Sequence, residues 1–568
     1  MKKQIDTDVA IVGGGPAGSA CGSLLRKYAP HLKVAIFERE QFPREHVGES
    51  LLPSACKVVH EMGAWDDVER ANFPIKIGAT YRWGNSPALW DFEFIPTETF
   101  VDQPRPGKFA GQRAQTAFQV ERSRFDEILL NNARERGCDV YQKAKVSQVL
   151  KTADHVDGLV LEDGTEVRAR QYVDASGSAA VIRKAMGVPV QEHTQLKNVA
   201  FWGYWENTDW AVSIGTTATR ILVLSLSWGW IWFIPLGPTR TSIGLVCPAE
   251  HYKSEGLSPE ELYKKALLEE PKIQSLTKTA TLESPIYGTK DWSFLADRLT
   301  GDNWFLAGEC AGFADPILSA GVTLAVTGAR ELAFSLIAIL NRTEDPAWLK
   351  ASYEQNQRAR ISQHIRFADF WYSANGQFSD LKEFTREIAK DAGLELNANE
   401  AFRWLGTGGF TSDITQLPAI ADISITGIKQ ITQRFTETEA GWSLNGVRAV
   451  RLDLDGAKQD FLPSYSEGKI SRIRVYERGG KLLPLHGLYG LVQEAVRREP
   501  MLEGIVRYVV QKTGGKPKDP LPFVFQMLEG WLNDGWLIPV ESKIGPAFSR
   551  VTQTDSGVIR TNRDISMD

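Results

Sequence analysis

Hydrophobic and polar positions alternate in distinct ways along the chain. Residues 7 to 12 (TDVAIV) are a short β-branched apolar run; a glycine cluster, the helix-compatible SACGSLLRKYA and a second apolar run, KVAIFE, follow. That order predicts a strand, a turn, a helix and a second strand ending at Glu38. The most apolar run, Ile221 to Pro235 (ILVLSLSWGWIWFIP), falls short of the roughly 20 residues a bilayer crossing requires. It predicts a buried strand or strand pair and no membrane span. Trp304 to Ala307 reads as another strand, followed by Gly308-Glu309, a loop with Asp315-Pro316, and a helix from about Gly321. Further on, Lys382 to Leu405 reads as polar helix, and Gly441 to Gly479 mixes short strands with turns. GLYGLVQEAVRREP and FVFQMLEGWLNDG then read as helices before a short strand, WLIPV, a winged-helix-like order.

The first glycine cluster carries the clearest chemistry. Gly13 permits a tight turn, Gly15 lets the backbone approach a pyrophosphate, and Gly18 allows close packing of helix on strand. With Ala17 in its first turn, the helix offers unpaired N–H groups to phosphates. Glu38 is placed to accept hydrogen bonds from an adenosine ribose and would repel a 2′-phosphate. This unit alone does not separate FAD from NAD. Composition narrows the rest. The 568 residues give room for two or three domains, and a net charge of -5 gives no general polyanion-binding surface, so nucleic acid is a poor partner. Winged helices often bind DNA, but here the second helix offers Glu529 and, just beyond, Asp534 rather than a basic face, which favours a lid or docking surface. Five scattered cysteines without a CxxC pair argue against disulfides or zinc and fit a reducing cytoplasm. Lys2 and Lys3 are followed by Gln4, Asp6 and Asp8, which reads as no export signal. Seventeen tryptophans, several in the Ile221 to Pro235 run, suggest an aromatic-lined interior.

Residues 302 to 333 resemble the second FAD motif of the aromatic-hydroxylase-like flavoproteins. Val120 to Asp126 (VERSRFD) and Asp174-Ala175-Ser176-Gly177 match the same superfamily. The resemblance implies an α/β (α+β) fold: a GR2-type FAD-binding Rossmann-like domain, an antiparallel substrate sheet and a mixed C-terminal extension. It places a monooxygenase-like core at 1–375, with the sheet interleaved at about 76–120 and 195–290, and an extension at 376–568. It also implies cofactor contacts from Arg122, Asp174, Gly308 and Glu309. The family usually has Gly-Asp where this chain has Gly308-Glu309, one methylene longer.

Three further marks resemble the flavin-dependent halogenases of phenols, pyrroles and carrier-tethered aromatics. Trp230-Ile231-Trp232-Phe233-Ile234-Pro235 fits WxWxIP; Phe313, Pro316, Ser319 and Gly321 fit FxxPxxSxG; and Lys76, in FPIKIGATYRWG, has the context of the active-site lysine. Tryptophan halogenases carry a glutamate just before that serine, and this chain has Leu318. The resemblance implies that reduced flavin and O₂ form a hydroperoxide that oxidises chloride or bromide to hypohalous acid. The N–H groups of Ala320 and Gly321 would hold the halide, and Lys76 would take the oxidant. Trp230, Trp232, Ile234 and Pro235, with Ser319, would line the oxidant's path; because Trp230 and Trp232 face one side of a strand, core packing accounts for them equally. Arg44 and Ser50 stand where relatives contact flavin, though Ser50 also fits a helix N-cap. Asp291 stands where some relatives bond the flavin covalently, and an exposed turn is its plainer reading.

No second dinucleotide fingerprint is found, since Gly406-Thr407-Gly408-Gly409 follows no clear strand. FADH₂ is therefore expected from a separate NAD(P)H-dependent flavin reductase. The expected activity is halogenation of an electron-rich, phenolic aromatic, free or on a carrier protein, in secondary metabolism. The rivals are an aromatic hydroxylase or polyprenyl reductase of the same fold, and a flavin-binding protein with a regulatory C-terminal domain.

Overall fold

The computed structural model describes residues 3–84, 87–192, 197–283, 285–290, 293–373, 443–514, 521–540 and 559–561. Asp291, the segment 382–405 and the glycines at 406–409 lie outside them. The chain divides into two compact units, 1–393 with 467–469 and 558–568, and 394–466 with 470–557.

In the first unit the βαβ reading holds: strand Gln4–Val12, helix Pro16–Tyr28, strand Val34–Phe37. The strands pair in parallel, Val9 opposite Val34, and form the centre of a seven-stranded sheet with Glu166–Asp174 on the other side. Val9, Ala10 and Ile11 are fully buried, because helices cover the sheet and both faces of a parallel strand must be apolar. One covering helix, Gly321–Asn341, packs on Pro16–Tyr28. It is long and apolar enough to cross a membrane, and most of it is buried inside the unit. It is longer than the Ile221 to Pro235 run, and because it carries Arg330 and Glu331 it does not stand out in a search for the most apolar continuous stretch.

Ile221 to Pro235 forms the predicted strand pair, Ala218–Ser225 and Trp230–Pro235, antiparallel and buried throughout. They are central in a ten-stranded sheet that takes strands from 75–118 and 198–290. Among the described residues its pairs are antiparallel except one: Ala218–Ser225 runs parallel to Ile75–Arg82. The strand Ile559–Thr561 joins the same sheet beside Trp90–Glu93.

In the second unit, helices Gly487–Arg498 and Leu521–Asn533 and strand Leu537–Val540 follow the order read from sequence. A helix at Leu502–Thr513 lies between them. Glu529, expected on an acidic face, is fully buried and accepts the Ser443 and Leu444 N–H groups at 2.9 and 3.1 Å. Its carboxylate caps backbone donors, so it contributes nothing to a surface charge.

Candidate functional site

The first half of the site is made of strand ends. Val12 is paired with Asp174, so the turns after both strands lie side by side. Gly13 has φ +106°, and a Cβ there would stand 2.3 Å from the Ala175 carbonyl oxygen. A Cβ on Gly18 would stand 2.0 Å from the Gly13 carbonyl oxygen. Only hydrogen fits at either position. Gly15 differs: among the described residues, the one atom near its Cβ position is Arg44 Nη2 at 3.4 Å. The outer side of the loop is open. Glu38 closes the turn from beneath, accepting the Gly14 N–H at 2.7 Å and the Glu40 N–H at 2.9 Å.

Three distant segments converge here. Trp304–Leu306 pairs with Glu166–Asp174, Leu306 opposite Asp174, and this brings the Cβ position of Gly308 within 3.0 Å of Ala17. Glu309 is half-buried, and desolvation pushes its carboxyl up against the lowering pull of Arg122. From the 44–50 loop, Arg44 pairs with Asp126 at 3.4 Å, while its Nη1 is buried without a hydrogen-bond partner. The Ser50 hydroxyl is likewise buried and unpartnered. Ser50 is no N-cap, because the nearby helix starts at Pro53 with Leu52 as its cap. Buried polar atoms left over by the protein are what a polar ligand satisfies.

Arg122 and Asp174 stand behind this layer. Arg122 grips Asp126 with two 2.8 Å bonds and donates to the Val47 carbonyl at 2.7 Å. Asp174 accepts the Ile182 and Arg183 N–H groups at 2.7 and 2.9 Å and the Ser176 hydroxyl at 2.6 Å. Expected at the cofactor, these two residues have their polar atoms engaged in holding the surrounding loops.

The second half lies on the ten-stranded sheet. Lys76 is 2% exposed, on Ile75–Arg82, with Ala117 and Thr219 as its strand neighbours. Its Nζ stands 5.4 Å from the centroid of the Phe94 ring. Glu93 lies opposite Gly78 and Asp91 opposite Thr80, so both acids share the sheet face of Lys76. Arg220 bridges them at 2.9 and 2.8 Å. Trp230 and Trp232 stand 6.0 Å apart on one face of their strand, with Trp232 laid against Gly244, where a Cβ would come within 2.1 Å of the ring. Ile234 and Pro235 complete this buried strand. In the loop beyond residue 308, Phe313 packs on Gly321, Ser319 is left-handed at φ +56°, and Ala320 caps the helix Gly321–Asn341 without a side-chain bond. The first N–H groups of that helix have no intrahelical acceptor. Leu318, just before Ser319, is buried.

A family model described as FAD binding domain matches residues 6–368. Two curated relatives are named for adding halogen. A Pseudomonas fluorescens chlorinase of pyrrole-2-carbonyl on a peptidyl-carrier protein is 30% identical over 66% of this chain and 85% of its own. Tryptophan 2-halogenase of Chondromyces crocatus is 31% identical over 66% of this chain and 70% of its own. The chain belongs to the flavin-dependent halogenases. Among solved structures, the myxobacterial chondrochloren halogenase CndH superposes with a TM-score of 0.59 at 29% identity, covering 68% of this chain and 90% of that one. The flavin-dependent halogenase CmlS shares the fold over 97% of this chain and 99% of its own, with a TM-score of 0.73 at 23% identity.

The halogenase uses FAD, halide and O₂, and the residues present fit the flavin: an open glycine loop, an unpartnered Arg44 nitrogen and an unpartnered Ser50 hydroxyl. Two acids of this halogenase escaped sequence reasoning. Glu49 is 1% exposed, accepts the Tyr204 hydroxyl at 3.0 Å, and is pushed by burial to about 7. Asp315 is pushed by burial to about 7 and accepts the Tyr372 hydroxyl at 3.0 and 3.2 Å. Each sits in a motif quoted for its neighbours, and only tertiary burial separates it from an ordinary loop carboxylate.

Proposed function

We propose that this enzyme halogenates an electron-rich, phenolic ring and that Lys76 receives the oxidised halide. The observation that carries the reading is a lysine 2% exposed in the sheet that also holds the WxWxIP strand, its Nζ beside the Phe94 ring. Reduced FAD, when bound, would give two electrons to O₂, and the reduced oxygen would take two more from the halide. The N–H groups of Ala320 and Gly321 hold that halide, as the free donors of a helix's first turn favour an anion. Trp230 and Trp232 keep bulky organic molecules off the flavin side while hypohalous acid, small enough to pass, reaches Lys76. Lys76 then presents electrophilic halogen to the ring, either as a hydrogen-bonded acid or through its nitrogen. The electrons come from a separate NAD(P)H flavin reductase.

A second reading has the ring presented on a carrier protein, in secondary metabolism. The chlorinase at 30% identity, named for a carrier-bound pyrrole, favours it. The test supplies reduced FAD, O₂ and bromide to the enzyme with a panel of phenols and pyrroles, free and carrier-bound, and reads products by mass. Bromine isotope pairs are expected with at least one phenol, and Lys76→Ala is expected to remove them while FAD stays bound. Hydroxylated products alone, or bromination retained in Lys76→Ala, overturn the reading.

A further inference from the structure

Asp315 ties three elements together. Its carboxylate accepts the Ile317 N–H at 2.9 Å within its own loop, and both oxygens face the Tyr372 hydroxyl of helix Pro346–Ser373. The Tyr372 oxygen in turn accepts the Trp230 indole N–H at 2.9 Å. The loop that ends in Ala320 and Gly321 is thus joined by one hydrogen-bonded chain to the first tryptophan of the WxWxIP strand. A tyrosine hydroxyl can donate once and accept twice, so this chain is complete whether Asp315 is ionised or protonated.

The overall chemistry of halide oxidation gives that freedom a use. Written with atoms and charge balanced, X⁻ + O₂ + FADH₂ + H⁺ gives HOX + FAD + H₂O: the halide and the flavin lose two electrons each, and O₂ gains four. One proton is consumed for each halide oxidised. We propose that Asp315 is the positioning residue that takes up this proton. When neutral it lets a halide settle on the Ala320 and Gly321 N–H groups, and when ionised it opposes the anion. Tyr372 and Trp230 hold its carboxyl in register with the halide loop. The inference rests on the halide site assigned above.

The surroundings fit a group that changes charge near neutrality. Asp315 is wholly buried, and desolvation is the main influence on it. It faces Tyr372 from one helix, the Asn198 side chain from strand Asn198–Glu206, and the Ile317 N–H, all of which favour the ionised form. Asp369 acts on Tyr372 from the same helix as that tyrosine. The balance leaves the carboxyl at about 7, so both states are populated under ordinary conditions.

The experiment uses FAD-loaded enzyme and bromide. Calorimetric titration at about pH 8, repeated in buffers of different ionisation enthalpy, counts protons taken up per bromide bound, and affinity is followed across pH. The wild type is expected to take up close to one proton, with bromide affinity falling about tenfold per pH unit above its midpoint. Asp315→Asn is expected to take up none and to bind bromide with affinity that no longer falls with pH. Tyr372→Phe removes a donor that favours the carboxylate, so its midpoint is expected to move up; a purely structural tyrosine would weaken binding without moving it. Absence of uptake in the wild type, uptake that persists in Asp315→Asn, or an unmoved midpoint in Tyr372→Phe overturns the proposal. Gly321→Pro, which removes one donor, separates the two readings: unchanged bromide affinity there shows that the halide sits elsewhere, whatever Asp315 does.

Discussion

The turn after Gln4–Val12 and the sheet around Lys76 both fix chemical groups in place, and they do it with different materials. At the turn the work is done by backbone: Gly13 and Gly18 are defined by carbonyl oxygens 2.3 and 2.0 Å from where a Cβ would be. All the residues involved in that constraint are close in sequence or come from one adjacent parallel strand. Around Lys76 the work is done by side chains drawn from strands at 75–82, 90–93, 218–225 and 230–235, with a tyrosine from the helix at 346–373. The first arrangement tolerates almost no substitution at a few positions. The second spreads its constraint over large rings, where a loss at one place alters chemistry before it alters folding.

The hardest way to break that contrast is Gly18→Ala. The new methyl would meet the Gly13 carbonyl oxygen, a backbone atom that no rotamer change can move aside. Overpacking of this kind costs about 1–3 kcal/mol or more, and the same shift moves the first turn of Pro16–Tyr28, where the cofactor's phosphates are proposed to lie. Purified Gly18→Ala is expected to retain at least about tenfold less FAD than wild type, read from flavin absorbance per protein. Gly244→Ala probes the other region. Its methyl would collide with the Trp232 ring, a side chain of the aromatic layer rather than backbone of the glycine turn. If Trp232 lines the proposed oxidant path, FAD content should stay near that of wild type while halogenated product falls about tenfold and hydrogen peroxide release rises. If Gly244→Ala loses FAD as severely as Gly18→Ala, the two regions are not separable.

This difference also explains what could be read from the sequence. Gly13, Gly15, Gly18 and Glu38 were legible because a strand, a turn and a helix in order impose local sterics that appear as residue types at fixed spacing. The strand pair in Ile221 to Pro235 was legible because burial on both faces demands a continuous apolar run. Arg122 and Asp174 were found as motif members, but their hydrogen bonds run to Asp126, Val47, Ile182 and Arg183, which spacing alone does not reveal. Glu49, Asp315 and the Arg220 bridge were missed for the same reason. Their character comes from burial and from partners as far off as Tyr204 and Tyr372.

Glu49 offers a smaller, signed test at the meeting of the two regions, since its loop belongs to the flavin side and Tyr204 to the aromatic sheet. Burial holds its carboxyl at about 7 against an ordinary 4.5, with Tyr204 and Arg122 pulling the other way. Between those values the folded protein binds more protons than the unfolded chain, so stability falls as pH rises through that window. The full penalty, about 3 kcal/mol at most, is present above pH 7. Glu49→Gln removes the ionisation and keeps an acceptor for Tyr204. Its melting temperature, relative to wild type, is expected to rise between about pH 5 and pH 8, and a difference that stays flat would show that Glu49 titrates normally.

The finest distinction concerns Glu309, where the halogenase departs from the family's usual Gly-Asp. Its Oε2 stands 3.6 Å from the Cβ position of Gly177, and Gly308 before it touches Ala17, so the longer acid reaches across the same junction that joins the two flavin segments. If the acid accepts a hydrogen bond from the flavin's sugar chain, its length matters by about one methylene and its charge by more. Glu309→Asp should then weaken FAD by only a few-fold, and Glu309→Ala by about tenfold, the worth of a hydrogen bond to a charged group. Burial holds this carboxyl above its usual range, so the wild type should also lose FAD affinity at acid pH, as the acceptor becomes protonated, while Glu309→Ala should not. Equal FAD affinity in all three proteins across pH would leave Glu309 as packing at the junction. The backbone would then be the sole cofactor contact from this segment, and the turn region would depend on side chains even less than Gly13 and Gly18 indicate.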